Sequence, residues 1–147
     1  MNLIFLDIDG VLNSIEGSDE VLFDMEVTKL KLLKQLTIDT NSQVVIISDW
    51  RYSSRQRKQL LEAFNKYQIP IHGMLRDPSV DDEEDNRGKQ IQDYLESHRD
   101  IIDKIVILDD NDDGILELFH EDFIKTNKFY GLDENIVNKV KEVFKNN

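Results

Sequence analysis

The stretch Leu3-Ile4-Phe5-Leu6-Asp7-Ile8-Asp9-Gly10-Val11, near the start of the 147-residue chain, joins an apolar run to two aspartates. Residues 3–8 are nearly all apolar, which is typical of a strand that is buried on both faces of a parallel sheet. Two further runs, Val44 to Ile47 and Ile105 to Leu108, have the same character. The sequence therefore predicts a sheet whose central strands are built from these three runs.

Helical segments alternate with these strands along the chain. Val27, Leu30, Leu33 and Leu36 recur at helical spacing, and Asp24 is the expected N-cap of their helix. The sequence predicts further helices that begin at a Ser53–Gln56 capping box, near Arg87, at Ile115 and after Asp133, and short strands at Ile71 to Leu75 and Phe123 to Thr126. This alternation predicts an α/β fold with a mainly parallel sheet.

The composition predicts one globular domain over residues 1–147. No apolar run approaches the length of a membrane span, and Met1 leads straight into Leu3 without a basic segment or a cleavage site. We therefore expect no membrane span, no signal peptide and a cytoplasmic location. The absence of cysteine excludes disulfides and thiolate chemistry. His72, His98 and His120 sit in unrelated contexts, so a histidine metal site is not expected.

The charge of the chain is strongly and unevenly negative. A formal net charge of −12 argues against strong non-specific binding to nucleic acid. One acidic block, Asp81 to Asp85, follows a predicted strand and is expected to be a solvated loop. A second acidic run, Asp109 to Asp113, follows the third buried strand and calls for a chemical explanation.

All three buried strands end in polar or acidic residues. Asp7 to Asp9 follow the first strand, Ser48 to Arg51 follow the second, and Asp109 to Asn111 follow the third. In open α/β sheets, ligands bind beyond the carboxyl ends of the strands. We therefore expect these side chains to meet at one edge of the sheet and to form a site there.

The spacing of Asp7 and Asp9 points to a cation. Residues two apart in extended backbone point to the same side, and two neighbouring carboxylates repel unless a cation relieves the repulsion. Oxygen ligands favour a hard ion, and magnesium is the obvious candidate. Gly10 would let the chain turn sharply after the strand. The alternative is that Asp7 and Asp9 are turn or capping residues. A calcium-binding loop is not expected, because the glutamate that such a loop requires downstream is missing here.

Arg87 and Lys89 lie at the start of a predicted helix. Cations at this position oppose the helix dipole, so stability alone does not select them. A phosphate bound near the free N–H groups of the helix would favour both cations. The alternative is that both cations only compensate the negative charge of the acidic block just before them.

These residues together resemble the motifs of the haloacid dehalogenase (HAD) superfamily, and the resemblance covers essentially the whole chain. The stretch Phe5 to Asn13 resembles the first motif of that superfamily, and Ser48 matches the serine or threonine of the second. The segment Arg87-Gly88-Lys89-Gln90-Ile91 resembles the third motif, with its basic residue at Arg87 or, in the alternative register, at Lys89. Val106 to Asp110 resembles the acidic fourth motif.

A closer resemblance is to the small HAD domains associated with Swiss-army-knife RNA repair proteins. It rests on Ser48-Asp49-Trp50-Arg51, on the aspartates from Asp109 to Asp113, and on Thr126 followed by Gly131-Leu132. Asn127 stands where an aspartate is expected in that subfamily, and Asn111 interrupts the run of aspartates.

The resemblance implies a magnesium-dependent phosphatase. Asp7 would attack phosphorus and form an aspartyl-phosphate, and Asp9 would act as general acid and base. The implied metal ligands are the Asp7 carboxylate, the Asp9 backbone carbonyl and Asp110, with Asp109 or Asp113 as alternatives to Asp110. Asp109 would hold the motif-three cation in position.

The resemblance also implies which side chains hold the transferring phosphate. They are Ser48, Asp49, Arg87 and, in the alternative register, Lys89. The side chain of Trp50 belongs either to this site or to the core.

The short interval between Asn13 and the predicted Asp24 helix leaves room for a flap but not for a cap domain. The resemblance therefore implies a three-layer, Rossmann-like HAD fold with no cap domain and an open site. Such a site suits bulky phosphorylated substrates, namely nucleic-acid ends or phosphoproteins. The expected substrates are nucleic-acid end phosphates. The alternatives are a phosphatase of small metabolites or phosphoproteins and a non-catalytic phosphate-binding or regulatory module.

Overall fold

The computed structural model describes residues 1–17, 20–76 and 86–146, so the acidic block Asp81 to Asp85 lies outside the described residues. The elements in chain order are β1 Asn2–Leu6, β2 Val21–Leu22, β3 Met25–Glu26, α1 Val27–Thr40, β4 Ser42–Ile46, α2 Ser54–Lys66, β5 Ile71–Met74, α3 Arg87–Ser97, β6 Lys104–Asp109, α4 Ile115–Leu118, β7 Phe123–Lys125 and α5 Glu134–Asn146. No helix in this part of the chain combines the length and the apolar composition needed to cross a membrane.

Five of the strands form one parallel sheet in the order β5-β4-β1-β6-β7. The first apolar run of the sequence, β1, lies at the centre and pairs with β4 on one side and β6 on the other. The carboxyl ends of these three strands are level with one another, because Leu6 pairs with both Ile46 and Leu108. This register brings the polar residues that follow each strand to one edge of the sheet.

The alternation of side chains along β1 separates two cores. Ile4 and Leu6 pack on the side of α1, α2 and α5, whereas Leu3 and Phe5 pack on the side of α3 and α4. All four side chains are fully buried, and each stabilises the fold by about 1.5–3 kcal/mol relative to exposure. The expected three-layer α/β architecture with a parallel sheet is therefore confirmed.

Two of the predicted helices begin with a side-chain cap, of which the cap at Ser53 was expected from the sequence. The Ser53 hydroxyl oxygen accepts the Gln56 backbone N–H at 3.3 Å, and the Asp133 carboxylate accepts the Ile136 N–H at 3.0 Å. Each bond satisfies an N–H group that has no partner inside the first helical turn.

The cap predicted for α1 was wrong. Glu26 occupies the N-cap position without a side-chain hydrogen bond, and Asp24 lies in the two-residue turn of the β2–β3 hairpin. Phe23 and Asp24 both have positive φ, 51° and 66°, which is the geometry of a tight hairpin turn. This hairpin is the short flap, and no cap domain is inserted among the described residues.

The view that the histidines are unrelated was wrong for two of them. The ring centroids of His72 and His98 are 5.2 Å apart, and the Tyr94 ring stacks on His98 at 4.2 Å. His72 lies on β5 and His98 at the end of α3, so only the packing of α3 on the sheet brings them together.

Candidate active site

Three carboxylates meet at the carboxyl ends of β1 and β6. One ligand oxygen each from Asp7, Asp109 and Asp110 lies within 4.8 Å of the other two. Asp7 is buried, Asp109 is completely buried and Asp110 is half-buried. The parallel pairing of β1 with β6 produces this arrangement, since it sets the residue after Leu6 opposite the residue after Leu108.

Arg87 reaches this cluster from the first turn of α3. Its Nη1 lies 2.8 Å from Asp109 Oδ2 and 3.9 Å from Asp7 Oδ1, and its Nη2 donates to Asp49 Oδ1 at 2.9 Å. The Arg87 side chain is largely buried, whereas that of Asp49 is 74% exposed. One planar guanidinium therefore links side chains at the carboxyl ends of β1, β4 and β6.

The electrostatics of the cluster depend on burial. Burial is the largest cause and the charge of Asp109 the second, and together they raise the pKa of Asp7 to about 8 against the opposing charge of Arg87. Burial also raises the pKa of Asp109, although its ion pair with Arg87 limits that shift. Burial works against the charged form of Arg87, but Asp109, Asp7 and Asp49 outweigh it and raise the pKa of Arg87. Burial therefore disfavours two simultaneous negative charges on Asp7 and Asp109.

The donor atoms of the cluster suit a hard divalent cation, because all of them are carboxylate oxygens. Gly10 makes the approach of Asp110 possible. A Cβ at that position would lie 2.4 Å from Asp110 Oδ2, and Gly10 has a φ of 80°. Asp113, in contrast, accepts the backbone N–H of Arg87 at 3.3 Å through Oδ2.

Asp9 has a different environment from Asp7. Its side chain is exposed, and two N–H donors fix its position: Asn13 Nδ2 at 2.8 Å from Oδ1 and Trp50 Nε1 at 3.2 Å from Oδ2. Trp50 itself is 3% exposed and packs in the core. Trp50 therefore both packs in the core and contacts a residue of the site, two positions that the sequence analysis left as alternatives.

The remaining predicted phosphate ligands occupy distinct positions. Ser48 is buried after β4, and its hydroxyl oxygen accepts the Trp50 N–H at 3.1 Å, so its proton can still be donated to a ligand. Asp49 is bonded to Arg87. Lys89 is exposed, and its backbone N–H donates to the Asn86 side chain at 2.9 Å. Arg87, and not Lys89, is thus the cation in contact with the carboxylates.

Two side chains of the site had no role assigned from sequence. Asn13 Oδ1 accepts the Gly10 N–H at 2.8 Å, and Thr126 Oγ1 donates to the Gly10 carbonyl at 2.9 Å. Together they fix both backbone groups of the glycine that Asp110 approaches. An asparagine three residues after a glycine in a turn is a local signal, whereas Thr126 is 116 residues away and was known from the sequence only as part of the subfamily motif, without a role.

Arg51 connects two parts of the site. It is buried, its Nη1 donates to the carbonyl groups of Ile47 and Ser48, and its Nη2 donates to Gln90 Oε1 at 2.9 Å. The end of β4 is thereby tied to α3, which carries Arg87.

Comparison with known proteins identifies the family. The model of the family described as "HAD domain in Swiss Army Knife RNA repair proteins" matches residues 3–137, a range that contains every side chain of the candidate site. No curated protein matches the chain significantly. Because the match extends from β1 into α5, well over half of the sequence, the chain belongs to the family of HAD domains found in Swiss Army Knife RNA repair proteins.

Proposed function

We propose that this domain is a magnesium-dependent phosphatase that acts through an aspartyl-phosphate on Asp7. The family supports hydrolase chemistry on a phosphorylated substrate in general. The observation that carries the proposal is the contact of Arg87 with Asp109 and Asp7 at the edge of the carboxylate cluster. A fixed guanidinium beside a nucleophile is suited to bind phosphate oxygens and to stabilise the charge of the transition state.

The two aspartates of the first motif divide the chemistry. In the first step an Asp7 oxygen bonds to phosphorus, the bond from phosphorus to the leaving oxygen breaks, and Asp9 gives that oxygen a proton. In the second step Asp9 takes a proton from water, the water oxygen bonds to phosphorus, and the Asp7–phosphorus bond breaks. The burial of Asp7 and the exposure of Asp9 suit these roles, since the proton carrier must reach both the leaving group and water.

Arg87 and Ser48 are the proposed ligands of the phosphate oxygens. The Asp49 carboxylate would repel a phosphate dianion, and its 2.9 Å bond to Arg87 supports a different role, that of orienting the guanidinium. Lys89 is exposed and lies two residues beyond Arg87, so we assign it at most a long-range attraction for the substrate. These roles refine the expectation from sequence that Asp49 and Lys89 bind phosphate.

The proposed metal ligands are Asp7, Asp110 and the backbone carbonyl of Asp9. Both carboxylate oxygens of Asp109 are engaged, Oδ2 by Arg87 and Oδ1 by the Asn111 N–H at 3.0 Å, which favours Asp110 for the cation. Bound at this position, Mg²⁺ supplies positive charge that neutralises the transferring phosphoryl group.

The proposed substrate is a terminal phosphate of nucleic acid. A flap instead of a cap leaves the site open to a large molecule, and the family is described by its occurrence in RNA repair proteins. A panel of 3′- and 5′-phosphorylated oligonucleotides, phosphopeptides and sugar phosphates separates this substrate from the alternatives. Equal kcat/KM across the panel would exclude a nucleic-acid preference and leave the chemistry standing.

The chemistry itself is tested by hydrolysis of an aryl phosphate with magnesium. We expect Asp7→Asn to reduce the rate to background and Asp9→Asn to reduce it by about 10²–10⁴-fold. Asp93→Asn, which removes an exposed aspartate of α3, is the matched control and should retain the wild-type rate. Equal rates for Asp7→Asn and Asp93→Asn would refute the nucleophile assignment.

A further inference from the structure

A groove lies beside the carboxylate cluster, at the carboxyl ends of β6 and β7. Its volume is about 620 Å³, which is within the usual range for ligand sites. It is lined by Asp110, Asn111, Lys125, Thr126, Asn127 and Lys128. Asp110 also belongs to the carboxylate cluster, so the groove and the candidate active site share a wall.

The backbone after β7 is hydrogen-bonded to residues 11–16, the segment that follows Asp9 and Gly10. The Ile15 N–H donates to the Lys128 carbonyl and the Glu16 N–H donates to the Phe129 carbonyl, both at 3.0 Å. The Leu132 N–H donates to the Val11 carbonyl at 2.7 Å. The segment that forms the groove is therefore held in a fixed relation to the proposed nucleophile.

The groove carries two exposed cations in a chain with a net charge of −12. Lys125 is the last residue of β7, and Lys128 follows three residues later. Neither lysine forms an ion pair with any residue of the ranges 1–17, 20–76 and 86–146. Two ammonium groups at this position would attract a second anionic group of a substrate whose terminal phosphate is at Asp7.

An exposed aromatic pair follows Lys128 directly. Phe129 and Tyr130 are 43% and 50% exposed, and their rings meet edge to face with centroids 4.9 Å apart. The Phe129 N–H donates to Asn127 Oδ1 at 2.8 Å, which fixes the start of this pair at the end of the groove. Proteins bind single-stranded nucleic acid by combining cations along its phosphate backbone with aromatic side chains on which its bases stack.

We propose that this groove binds the nucleotide adjacent to the phosphorylated end of a single-stranded nucleic acid. Lys125 and Lys128 bind its backbone phosphate, and the Phe129–Tyr130 pair stacks on its base. The inference rests on the proposed function for its placement of the terminal phosphate. A phosphopeptide requires neither the second anion site nor a stacking surface, and a small sugar phosphate has no second group to occupy them.

The kinetic test compares one terminal phosphate on three molecules: an octanucleotide, a mononucleotide and an aryl phosphate. We expect the wild type to prefer the octanucleotide in kcat/KM. In Lys125→Ala/Lys128→Ala we expect the ratio of kcat/KM for the octanucleotide to that for the aryl phosphate to fall about tenfold. The double variant Lys31→Ala/Lys58→Ala, which removes two exposed helical lysines, should keep the wild-type ratio. Equal ratios in the two double variants would overturn the proposal.

The stacking role is tested at Phe129 with a conservative pair of variants. Phe129→Leu keeps an apolar side chain but removes the aromatic face, and about a tenfold weaker octanucleotide affinity is expected. Phe129→Tyr restores the face and should restore the affinity. Equal affinities for Phe129→Leu and the wild type would exclude stacking.

A binding measurement decides the inference without hydrolysis. The probe is a fluorescent eight-residue oligouridylate, and its Kd is measured by anisotropy at several salt concentrations. Loss of both lysines should lower the slope of log Kd against log salt by about 0.7 for each lysine. An unchanged slope would overturn the proposed binding of nucleic acid in the groove, whatever the enzyme assays show.

The two proposals can fail separately. If Asp7→Asn does not affect hydrolysis while the slope changes, the proposed function is wrong and the proposed binding in the groove is retained. If phosphopeptide affinity falls as much as that of the oligouridylate, the nucleic-acid assignment is wrong.

Discussion

Arg87 Nη1 lies 2.8 Å from Oδ2 of Asp109, a carboxylate with no exposed surface. The pair joins the first turn of α3 to the end of β6, and the same guanidinium lies 3.9 Å from the Asp7 carboxylate. An ion pair in this position stabilises the fold only while both partners are present, since a single buried charge costs far more than the pair contributes. The site and the fold therefore depend on the same contact.

Arg87→Ala should weaken both stability and catalysis. Removal of the guanidinium leaves two buried carboxylates without their cation, so we expect the free energy of unfolding to fall by about 3 kcal/mol. We also expect kcat for an aryl phosphate to fall about 10²-fold. Urea unfolding and steady-state kinetics measure the two effects.

Arg99→Ala is the control for the loss of an arginine. Its partner is Glu96 in an exposed pair at 2.6 Å, with 72% and 61% of the two side chains exposed. Such a pair contributes less than about 1 kcal/mol. If Arg87→Ala were as stable and as active as Arg99→Ala, the Arg87–Asp109 contact would have neither role.

Asp7→Asn should change how stability depends on pH in metal-free buffer. Burial raises the pKa of Asp7 to about 8, whereas the carboxyl of an unfolded chain titrates near 3.8. Between these two values the folded protein keeps a proton that the unfolded chain has released, so the free energy of unfolding of the wild type falls as pH rises. Asp7→Asn has no such proton, and its advantage over the wild type should grow toward pH 8.

Urea unfolding in the presence of a chelator, from pH 4.5 to 9, measures this difference. Asp93→Asn, which removes an exposed aspartate, should give a curve parallel to that of the wild type. If the curve of Asp7→Asn is also parallel to that of the wild type, burial does not raise the pKa of the Asp7 carboxyl.

Trp50→Phe should separate the two roles of Trp50. The variant keeps an aromatic ring in the core but loses the Nε1–H donor to Asp9, which then keeps the Asn13 side chain as its donor within the described part of the chain. We expect kcat to fall about tenfold because the proton donor is less well positioned. The loss should be larger for an alkyl phosphate than for an aryl phosphate, since a poor leaving group depends more on protonation.

Phe64→Leu is the matched control, because it perturbs the same core through α2 without touching Asp9. Thermal unfolding of both variants establishes that they lose comparable stability. An equal loss of kcat on the two phosphates in Trp50→Phe would contradict the role of the Trp50–Asp9 bond in proton transfer.

The sheet and the position of the site follow from the sequence because they depend on local pattern. A strand that is buried on both faces must be apolar at every position, and the runs that became β1, β4 and β6 satisfy this rule. Parallel pairing then brings the residues after each run together without any further information. For that reason Asp7, Ser48 and Asp109 could be assigned to one edge from the sequence, whereas Arg87, at the start of a helix, was assigned to the site by its resemblance to the third motif.

The details that sequence did not predict depend on pairs far apart in the chain. The Trp50–Asp9 bond joins residues 41 apart, and no local rule distinguishes a tryptophan that packs from one that also donates. The hairpin turn of the flap was missed for another reason. Its turn is Phe23-Asp24, with positive φ at two residues that lack the usual Asn-Gly signal, so Asp24 resembled a helix cap.

Gly10→Ala should displace Asp110 and weaken the metal site. A methyl group on Gly10 would lie 2.4 Å from Asp110 Oδ2, and the residue would be strained at a φ of 80°. We expect the strain to lower the free energy of unfolding by about 1–2 kcal/mol. We also expect the stabilisation by Mg²⁺, about 2.7 kcal/mol at 100 times its Kd in the wild type, to be largely lost.

Gly17→Ala provides the control, because it carries the strain without the collision. Gly17 has a φ of 68°, and among the described residues the nearest atom to its added Cβ is the Ser14 carbonyl oxygen at 3.9 Å. In a chelator Gly10→Ala should therefore lose more stability than Gly17→Ala, because it adds the collision with Asp110 to the strain, and only Gly17→Ala should gain stability from Mg²⁺. Thermal unfolding with and without Mg²⁺ compares them. A full Mg²⁺ response in Gly10→Ala would mean that the cation is held without Asp110 in its observed position, and the ligand set would have to be assigned again from Asp7 and Asp109.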